Sequence, residues 1–471
     1  MTAQTILPAN SAASGGFEVA NSLRFNRASS DYLSRATNVT GTNTKYTLSF
    51  WIKLCDIANF QRIFEVYKAS NERVDCGFNL DNTLQPRFFI QEYTGSYIYR
   101  KIFTRLSRDV AAWTHYVIKF DSSESEANRL KVYINGVEET ATDTVNLPAD
   151  GATSIISVGT QHIGYSQNNS GHHLNGYLAE FVLIEGTDYA PTSFGEFDED
   201  SGIWKPIDVS GLTFGTNGFY LDFEESGTSA NSSGLGADKS GNDHHFTVNN
   251  LTAVDQSTDT CTNNFATMNP LDNFYAAHPF AEGNTKVSTS TSTTSFSTAT
   301  IGLSTGKWYF EGTVRAVMGE EGIGVSPIVS TAADDYPGKA TDSVSYKGNN
   351  GNVRKSNSNA AYGNAYVNNN VIGVALNLDD NEIKFSLNGT VQNSGTAVAL
   401  TAAASTPNGV YFPMVGDGST DSVGVWEVNF GAGSFTALSS AVADGNGFGA
   451  FEYAPPSGFL AICTKNLSEF G

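Results

Sequence analysis

The chain has 471 residues and a net charge of −21, and only 16% of its residues are charged. A surface with this excess of acid excludes nucleic-acid binding that depends on Lys and Arg displacing counterions from phosphates. The length exceeds what one hydrophobic core usually serves, so we expect two or three domains.

The composition favours strands over helices. Phe (30), Tyr (20) and Gly (46) are abundant, and aromatic and β-branched residues suit pleated, half-buried surfaces. No helical periodicity persists for more than two turns. The sequence therefore predicts an all-β protein.

Residues 1–16 are small and mostly polar and end in Gly15-Gly16, which predicts a short N-terminal arm. They lack the basic and apolar regions of a signal peptide, and no apolar run approaches the ~20 residues of a membrane span. We therefore expect synthesis in a cytoplasm and no membrane insertion.

The four cysteines, Cys55, Cys76, Cys261 and Cys463, show no zinc-ligand spacing. In a reducing compartment, buried free thiols are the expected state. A disulfide between Cys55 and Cys76 on neighbouring strands is the alternative.

Short apolar–polar alternations follow one another from residue 17 to residue 189, separated by Gly, Asn, Asp and Ser. A period of two is typical of strands with one buried face, and these turn residues connect antiparallel pairs. The segments are YTLSFWIKL, QRIFEVYKA, RVDCGFNL, PRFFIQEY, SYIYRKIF, WTHYVIKFD, RLKVYING, HIGYS and LNGYLAEFVLIEG. Strands at this spacing predict a β-sandwich.

One hairpin sequence occurs twice. Asn135-Gly136 lies in KVYINGVEE, and Asn388-Gly389 lies in IKFSLNGTVQ. Asn-Gly is the preferred pair for a type I′ turn, in which both central residues have positive φ. We therefore predict the same tight hairpin in each of two sandwiches.

The passage after residue 190 is mixed. PTSFGEFDED could hold one helical turn, begun by Pro191 and Thr192, and GFYLDF reads as a strand. We expect these pieces to complete a first sandwich over residues 17–265.

A second sandwich is predicted over residues 266–435. STSTSTTSFSTAT has the composition of a mucin-like linker, but its β-branched Thr residues favour edge strands. Further strands follow in GKWYFEGTV, GIGVS, SVSYKG, VIGVALNLDDNEIKFSLNG, GVYFPMVG and VGVWEVNFG. Residues 436–471 are expected to form a C-terminal tail, in which Pro455-Pro456 forces an extended or turn conformation.

At these motifs the chain resembles two known families. SLRFN, YTLSFWIK, WTHYVIKFD and LNGYLAEFVLIEG resemble the concanavalin-A-like, laminin-G-type fold over roughly Phe17 to Tyr189. GKWYFEGTV, GIGVS, SYKGNNGNVRK and FPMV resemble a SPRY domain over roughly Lys307 to Phe430. The resemblance implies a concanavalin-A-like jelly roll followed by a SPRY-like sandwich.

The connecting segments resemble a narrower group. SFGEFDEDSGIWKPI, DKSGNDHHFTVNNLTAVDQ and YAPPSGFLAICTKNL are similar to segments of virion proteins of tailed phages, particularly marine ones. This resemblance implies a virion location and other virion proteins as partners. By analogy with fibre proteins it implies a homo-oligomer, with a trimer favoured.

The acidic stretch EFDED, Glu196 to Asp200, is the candidate for catalysis. Glucanases of the concanavalin-A-like fold carry Glu-x-Asp-x-(x)-Glu on a strand, and retaining hydrolysis needs two carboxylates ~5–5.5 Å apart. Here the third position is Asp200, and the stretch follows a turn. We therefore expect a solvated acidic turn, not an active site, and predict no catalytic residues.

Metal binding is possible at one loop. Ca²⁺ takes six to eight oxygen ligands, and DKSGND offers Asp238, Ser240, Asn242 and Asp243. The alternative is an ordinary Asx-turn, and no cofactor is otherwise expected. His172-His173 and His244-His245 could share a metal, but we expect these histidines to lie in surface loops without one.

Tyrosines that could stack on a sugar ring fall in two groups. Loops and hairpins on a rigid sandwich commonly carry recognition, and an aromatic face near Asn and Asp suits a sugar. The alternative is that many of them pack inside the sandwiches. The candidates are Tyr93, Tyr97 and Tyr99 in one hairpin, and Tyr336, Tyr346, Tyr362 and Tyr366 in the second sandwich.

Together these observations predict a non-catalytic phage virion protein, a tail fibre, spike or other component that binds a host-surface glycan. One alternative is a capsid- or tail-decorating subunit with no receptor role. The other is a glucanase-like enzyme.

Overall fold

The structure, a computed structural model, describes residues 16–37, 43–81, 83–272, 278–316, 319–332, 334–421, 423–433 and 435–471. Most of the chain forms two compact units, residues 13–262 and residues 263–471. Each is built almost entirely from antiparallel strands, which confirms the predicted all-β fold. Of the predicted N-terminal arm, only Gly16 lies within the described residues.

The first unit contains eighteen strands among its described residues. They are β1 (Ser22–Phe25), β2 (Tyr32–Thr37), β3 (Lys45–Leu54), β4 (Gln61–Ala69), β5 (Glu72–Leu80), β6 (Pro86–Thr94), β7 (Tyr97–Leu106), β8 (Thr114–Asp121), β9 (Leu130–Ile134), β10 (Val137–Glu138), β11 (Ala141–Val145), β12 (Gly159–Ile163), β13 (Gly176–Glu185), β14 (Gly195–Phe197), β15 (Trp204–Pro206), β16 (Phe219–Leu221), β17 (Thr247–Asn249) and β18 (Gln256–Ser257). Short 3₁₀ turns occupy Arg27–Ser29, Glu126–Asn128, Pro191–Ser193 and Ala253–Asp255.

Two eight-stranded sheets form the sandwich of the first unit. The front sheet runs β10-β9-β8-β3-β13-β1-β18, with β16 also paired to β13. The back sheet runs β11-β7-β6-β5-β4-β12-β2-β17. The alternating apolar residues of both sheets meet in one core, which includes Phe50, Phe88 and Phe181. Burial of this apolar surface is the main stabilising term.

The passage after residue 190 forms a second layer on the outer face of the front sheet. Trp204 packs against Trp51 and Trp113 in one cluster, and Phe194 and Tyr220 belong to another. Pro191–Ser193 is the predicted helical turn, in 3₁₀ form. This layer therefore covers part of the outer face of the front sheet.

The second unit contains fifteen strands and one α-helix among its described residues. They are β19 (Phe280–Ala281), β20 (Lys286–Ser288), β21 (Ser295–Thr298), β22 (Lys307–Ala316), β23 (Glu321–Ser326), β24 (Val344–Lys347), β25 (Asn352–Lys355), β26 (Ser358–Ala361), β27 (Val371–Asn377), β28 (Glu382–Leu387), β29 (Thr390–Val391), β30 (Val398–Ala399), β31 (Phe412–Asp417), β32 (Val425–Asn429), β33 (Leu460–Ala461) and α1 (Thr464–Phe470). Short 3₁₀ turns occupy Pro270–Asp272, Asn393–Gly395 and Ala403–Ser405.

These strands form a second sandwich. The larger sheet runs β19-β20-β32-β22-β27-β28-β29, with β30 and β33 attached to β28 and β22. The smaller runs β21-β31-β23-β24-β25-β26, so β21, from the Ser/Thr-rich stretch, is the predicted edge strand. Trp308, Trp426 and Tyr346 are fully buried between the sheets.

Both predicted Asn-Gly hairpins are confirmed. Asn135 and Gly136 have φ of 49° and 78°, and Asn388 and Gly389 have 47° and 76°. All four cysteines are buried free thiols, which confirms that prediction and shows that the Cys55–Cys76 disulfide was wrong. Cys76 lies in the core of the first sandwich, whereas Cys55 lies in the outer layer.

The ends of the second unit meet each other. Phe265 forms a bridge with Cys463, and the Thr464 amide donates to the Asn264 carbonyl at 2.9 Å. Just before, β33 pairs in parallel with the start of β22. Residues 460–471 are thus built into the sandwich. Within the described part of the chain, no helix has the length and apolarity needed to cross a membrane.

Candidate functional site

Strands β4 to β7 of the back sheet align two rows of side chains on its outer face. Cross-strand pairing links each residue of a row to the next. Residues two apart on a strand share a face, so both rows project from the same side. We call these eight residues the aromatic–arginine face. The rows, from β4 to β7, are Tyr67, Arg73, Tyr93 and Tyr97, and Glu65, Asp75, Gln91 and Arg100.

Two of the predicted tyrosines, Tyr93 and Tyr97, form the aromatic end of this face. They lie opposite each other across the three-residue turn at Gly95, whose φ of 85° favours glycine. Their ring centroids are 5.3 Å apart at an angle of 76°. Both side chains are half-buried, so each ring keeps a surface on which an apolar ring face could stack.

Arginines flank both rings. The guanidinium of Arg73 lies 4.8 Å from the centroid of Tyr93, and that of Arg100 lies 5.6 Å from the centroid of Tyr97. Such cation–π contacts hold each cation beside an aromatic surface. The face therefore combines flat apolar rings with fixed hydrogen-bond donors.

Asp75 organises the centre of the face. Its carboxylate lies 3.0 Å from Arg62 and 3.2 Å from Arg73, and it accepts two hydrogen bonds from the Gln91 amide at 3.1 and 3.0 Å. Asp75 is 1% exposed, so its pairs are shielded from water and hold these side chains in one arrangement.

Glu65 connects the face to the loop after β12. It accepts hydrogen bonds from the hydroxyl of Ser166 at 2.7 Å and the amide of Gln167 at 2.5 Å. Burial raises the pKa of Glu65 to about 7, although both hydrogen bonds oppose the shift. The loop thus covers the Glu65 end, and the Tyr93–Tyr97 end stays accessible.

Four of the predicted tyrosines lie elsewhere. Tyr99 is buried in the first core, where its hydroxyl lies 2.9 Å from that of Tyr46. Tyr346, Tyr362 and Tyr366 pack around Phe385 and Trp426 in the second core. Their buried rings expose too little surface to stack on a sugar, so the alternative of core packing is the correct one for these four.

Tyr336 is the remaining candidate, in the second unit. It is half-buried, its ring centroid lies 4.4 Å from the guanidinium of Arg354, and its hydroxyl donates to Asn357 at 2.9 Å. It lies in a different unit from Tyr93 and Tyr97. Of the seven predicted tyrosines, only Tyr93 and Tyr97 lie side by side with their rings half-buried; Tyr346, Tyr362 and Tyr366 also meet, but inside the second core.

The predicted calcium loop uses its oxygens internally. The Asp238 carboxylate accepts hydrogen bonds from the amides of Tyr220, Ser240 and His244 and from the Ser240 hydroxyl. The Asn242 amide donates to the carbonyls of Gly215 and Gly218. Asp243 points away, with its side chain 92% exposed. This donor set fits an Asx-turn, and the described residues contain no group of three or more His, Cys, Asp or Glu placed to hold a metal.

The acidic stretch also forms a turn. Asp198 accepts hydrogen bonds from the amides of Asp200 and Ser201 and pairs with Lys205 at 3.1 Å. The hydrogen bonds from Ser201 hold the pKa of Asp198 down at about 2. Glu196 is exposed on the short β14–β15 hairpin, which agrees with the expected acidic turn.

The paired histidines do not face one another as ligands. His172 stacks on Phe60 at 5.3 Å and His173 on Tyr165 at 4.7 Å. His245 accepts a hydrogen bond from the Asp238 amide at 3.0 Å. Because His173 is only 8% exposed, the expectation of a surface loop was wrong for this residue.

The second unit has an apolar groove of about 400 Å³. The aromatic side chains along it are Tyr309, Phe385, Tyr453 and Phe459. Its only charged lining residue is Lys384, which pairs with Glu382 at 3.4 Å. With so few polar groups this groove matches a sugar less well than the aromatic–arginine face does.

Comparisons with known proteins agree with the two-unit fold. Residues 27–187 match the family model of the concanavalin A-like lectin/glucanases superfamily, of laminin-G type, and residues 307–430 match the SPRY domain model. The chain thus carries a concanavalin-A-like domain followed by a SPRY domain. A search of curated proteins found no match.

Solved structures with similar folds include a Bacteroides ovatus protein described provisionally as carbohydrate binding, with 14% identity and a TM-score of 0.35 over 50% of this chain and 59% of that one. A human SPRY domain has 20% identity and a TM-score of 0.24 over 32% of this chain and 92% of that one. A pentraxin from Limulus polyphemus has 17% identity and a TM-score of 0.25 over 36% and 74%. At this level of similarity, these structures carry no information about the ligand of this chain.

Proposed function

We propose that this protein is a non-catalytic, glycan-binding component of a phage particle, a tail fibre or spike. The observation that carries the proposal is the aromatic–arginine face. Half-exposed rings at Tyr93 and Tyr97 offer stacking surfaces, and Arg73 and Arg100 offer donors beside them. A sugar ring has an apolar face and a polar edge, so it can stack on such rings and accept hydrogen bonds from the donors beside them.

The particle setting rests on the resemblance of the connecting segments to virion proteins. In such a setting the other virion proteins are partners, and a homotrimer would present three copies of the face. Multivalent attachment raises avidity without tighter individual sites, which suits a shallow face on a sheet. A decorating subunit of the capsid or tail is the alternative, and it needs no sugar site.

Binding of the purified protein to an array of bacterial surface glycans tests the sugar site. We expect Tyr93→Ala combined with Tyr97→Ala to weaken binding at least ~10-fold, because the double substitution removes both of the rings on which the sugar would stack. Tyr336→Ala is the matched control, since Tyr336 is an equally half-buried tyrosine in the other unit, and it should bind normally.

Loss of binding in the control alone would move the site to the second unit, against the proposal. If the wild-type protein retains no glycan, and labelled antibody places it on the capsid of intact particles, the decorating role replaces receptor binding. Release of reducing ends that disappears in Glu196→Gln would favour the glucanase-like alternative.

A further inference from the structure

We propose that the aromatic–arginine face selects acidic sugars, pyranoses bearing a carboxylate, and that Arg100 is the residue that recognises the charge. This inference rests on the proposed glycan-binding function and names its ligand class. The observation behind it is that Arg100, unlike the arginines near it, has no carboxylate partner among the described residues.

Arginines close to Arg100 on the back sheet all have carboxylate partners. Arg62 and Arg73 lie within 3.2 Å of Asp75. Arg87 lies 3.0 Å from Asp81, and Arg105 lies 3.0 Å from Glu139. The chain has 48 acidic residues and 27 basic ones, so carboxylates outnumber the cations that they could pair with.

Arg100 is the exception on this face. The Nε atom of Arg100 is buried without a hydrogen-bond partner, as are those of Arg62 and Arg73, but among the described residues no carboxylate forms an ion pair with Arg100. Its guanidinium lies 5.6 Å from the centroid of the Tyr97 ring. A guanidinium partly removed from water without an anionic partner is unfavourable in the free protein, so a carboxylate that arrives there gains more than one at a paired arginine.

The surroundings of Arg100 favour a carboxylate carried on a sugar ring over carboxylates of other molecules. Arg100 follows Tyr97 on β7 and is the cross-strand partner of Gln91. A pyranose stacked on the Tyr97 ring would place its ring substituents toward the guanidinium. A planar guanidinium binds a carboxylate through two parallel hydrogen bonds, one to each oxygen, whereas a neutral hydroxymethyl group offers one uncharged oxygen.

The net charge of −21 opposes the binding of an acidic sugar at long range. The chain as a whole repels anions at long range, and that repulsion weakens as salt screens it. An acidic sugar must therefore be held by a local contact, and Arg100 is the unpaired cation available on this face.

Calorimetric titration with matched sugars tests the inference. The probes are short oligomers of galacturonate, mannuronate and glucuronate, each paired with its carboxyl-reduced, neutral counterpart. We expect at least one acidic oligomer to bind at least ~10-fold more tightly than its neutral counterpart, as for a charge-assisted hydrogen bond. Arg100→Gln should abolish that preference, because the loss of the positive charge weakens binding of the acidic oligomer far more than binding of its neutral counterpart. Arg87→Gln is the matched control, because Arg87 already has its carboxylate partner, and it should keep the preference.

The outcomes separate the two proposals. Equal affinity for acidic and neutral partners, with binding still lost in the Tyr93→Ala and Tyr97→Ala variant, overturns the acidic selection and leaves the glycan site standing. A preference that persists in Arg100→Gln assigns the charge recognition to another residue and also overturns it. No binding of any of the six probes overturns the inference, and the glycan array then decides the wider proposal.

Discussion

Lys53 and Asp259 form an ion pair that water does not reach. Their charged atoms are 2.6 Å apart and both side chains are 0% exposed. Asp259 also accepts a hydrogen bond from the indole of Trp113 at 2.9 Å. The pair ties strand β3 to residues close to the end of the first unit.

Lys53→Met should therefore destabilise the first unit strongly. Removing one partner leaves a buried carboxylate uncompensated, which typically costs ~3–5 kcal/mol. Chemical denaturation followed by tryptophan fluorescence measures the loss. Lys131→Met is the control, because Lys131 pairs with the half-exposed Glu138 and should cost less than ~1 kcal/mol. Equal effects of the two variants would refute the role given to the buried pair.

The candidate tyrosines differ in burial from one residue to the next, and this burial separates rings that a ligand can reach from rings in the core. Tyr97 and Tyr99 are two positions apart, so a period of two places them on one face. Between them the register of β6 and β7 shifts at a β-bulge, and an extra residue in a strand reverses the face of those that follow. Tyr97 consequently points outward and Tyr99 into the core, a difference that no alternation pattern could reveal.

At the scale of elements, the regular strands and the two hairpins could be read from the sequence. Strands β3 to β9 carry clear alternation or apolar runs, and Asn-Gly specifies its own turn. The second layer around Trp204 could not be foreseen, because it depends on packing between residues far apart in the chain. The partners of Tyr93 on the face were missed for the same reason, although Arg73 and Gln91 lie on the outward positions of their strands.

The β9–β10 hairpin offers a test of this packing. A Cβ atom on Gly136 would overlap the ring of Trp204, whereas one on Gly151 would meet no atom within 4 Å. Both residues have positive φ, 78° and 66°, so both substitutions share the same backbone strain.

Gly151→Ala should cost ~1–2 kcal/mol, the price of an L-residue in this conformation. Gly136→Ala should cost ~1–3 kcal/mol more, as overpacking typically does. Thermal unfolding of the two variants gives the comparison. A Gly136→Ala variant no less stable than Gly151→Ala would mean that Trp204 does not pack on this hairpin.

At the scale of the whole molecule, burial protonates a set of carboxyl groups. It raises the pKa to about 7 for Glu65, Glu92, Glu311 and Glu321, to about 8 for Glu180 and to about 6 for Asp417. In the unfolded chain such groups lose their protons near pH 4–4.5. The folded state therefore binds more protons than the unfolded state from there up to about pH 8, and stability falls as pH rises through this window.

Buried histidines act in the opposite direction but only at lower pH. Burial lowers the pKa of His115 to about 3 and of His162 and His278 to about 4. Their stabilising effect is lost as pH falls below the unfolded value near 6.5. This opposing effect fades above pH 6.5 as the histidines of the unfolded chain lose their protons, and above about pH 7.5 the carboxyl groups act alone.

We therefore expect the melting temperature to fall between pH 6.5 and pH 8.5 at constant ionic strength. Glu180 accepts a hydrogen bond from the Tyr220 hydroxyl at 2.7 Å. Glu180→Gln should reduce the fall in melting temperature, because the glutamine amide stays neutral at both pH values and can still accept this hydrogen bond. Differential scanning calorimetry at both pH values measures it. A melting temperature that stays level or rises with pH would contradict these raised pKa values.

The bridge between Phe265 and Cys463 places the beginning of the second unit beside the residue that precedes its helix. A module of this kind can be spliced into an exposed loop of an unrelated carrier without stretching either one, because its entry and exit already sit side by side. Residues 265–463 thus begin and end at neighbouring points, a geometry that tolerates insertion into a surface loop of another protein.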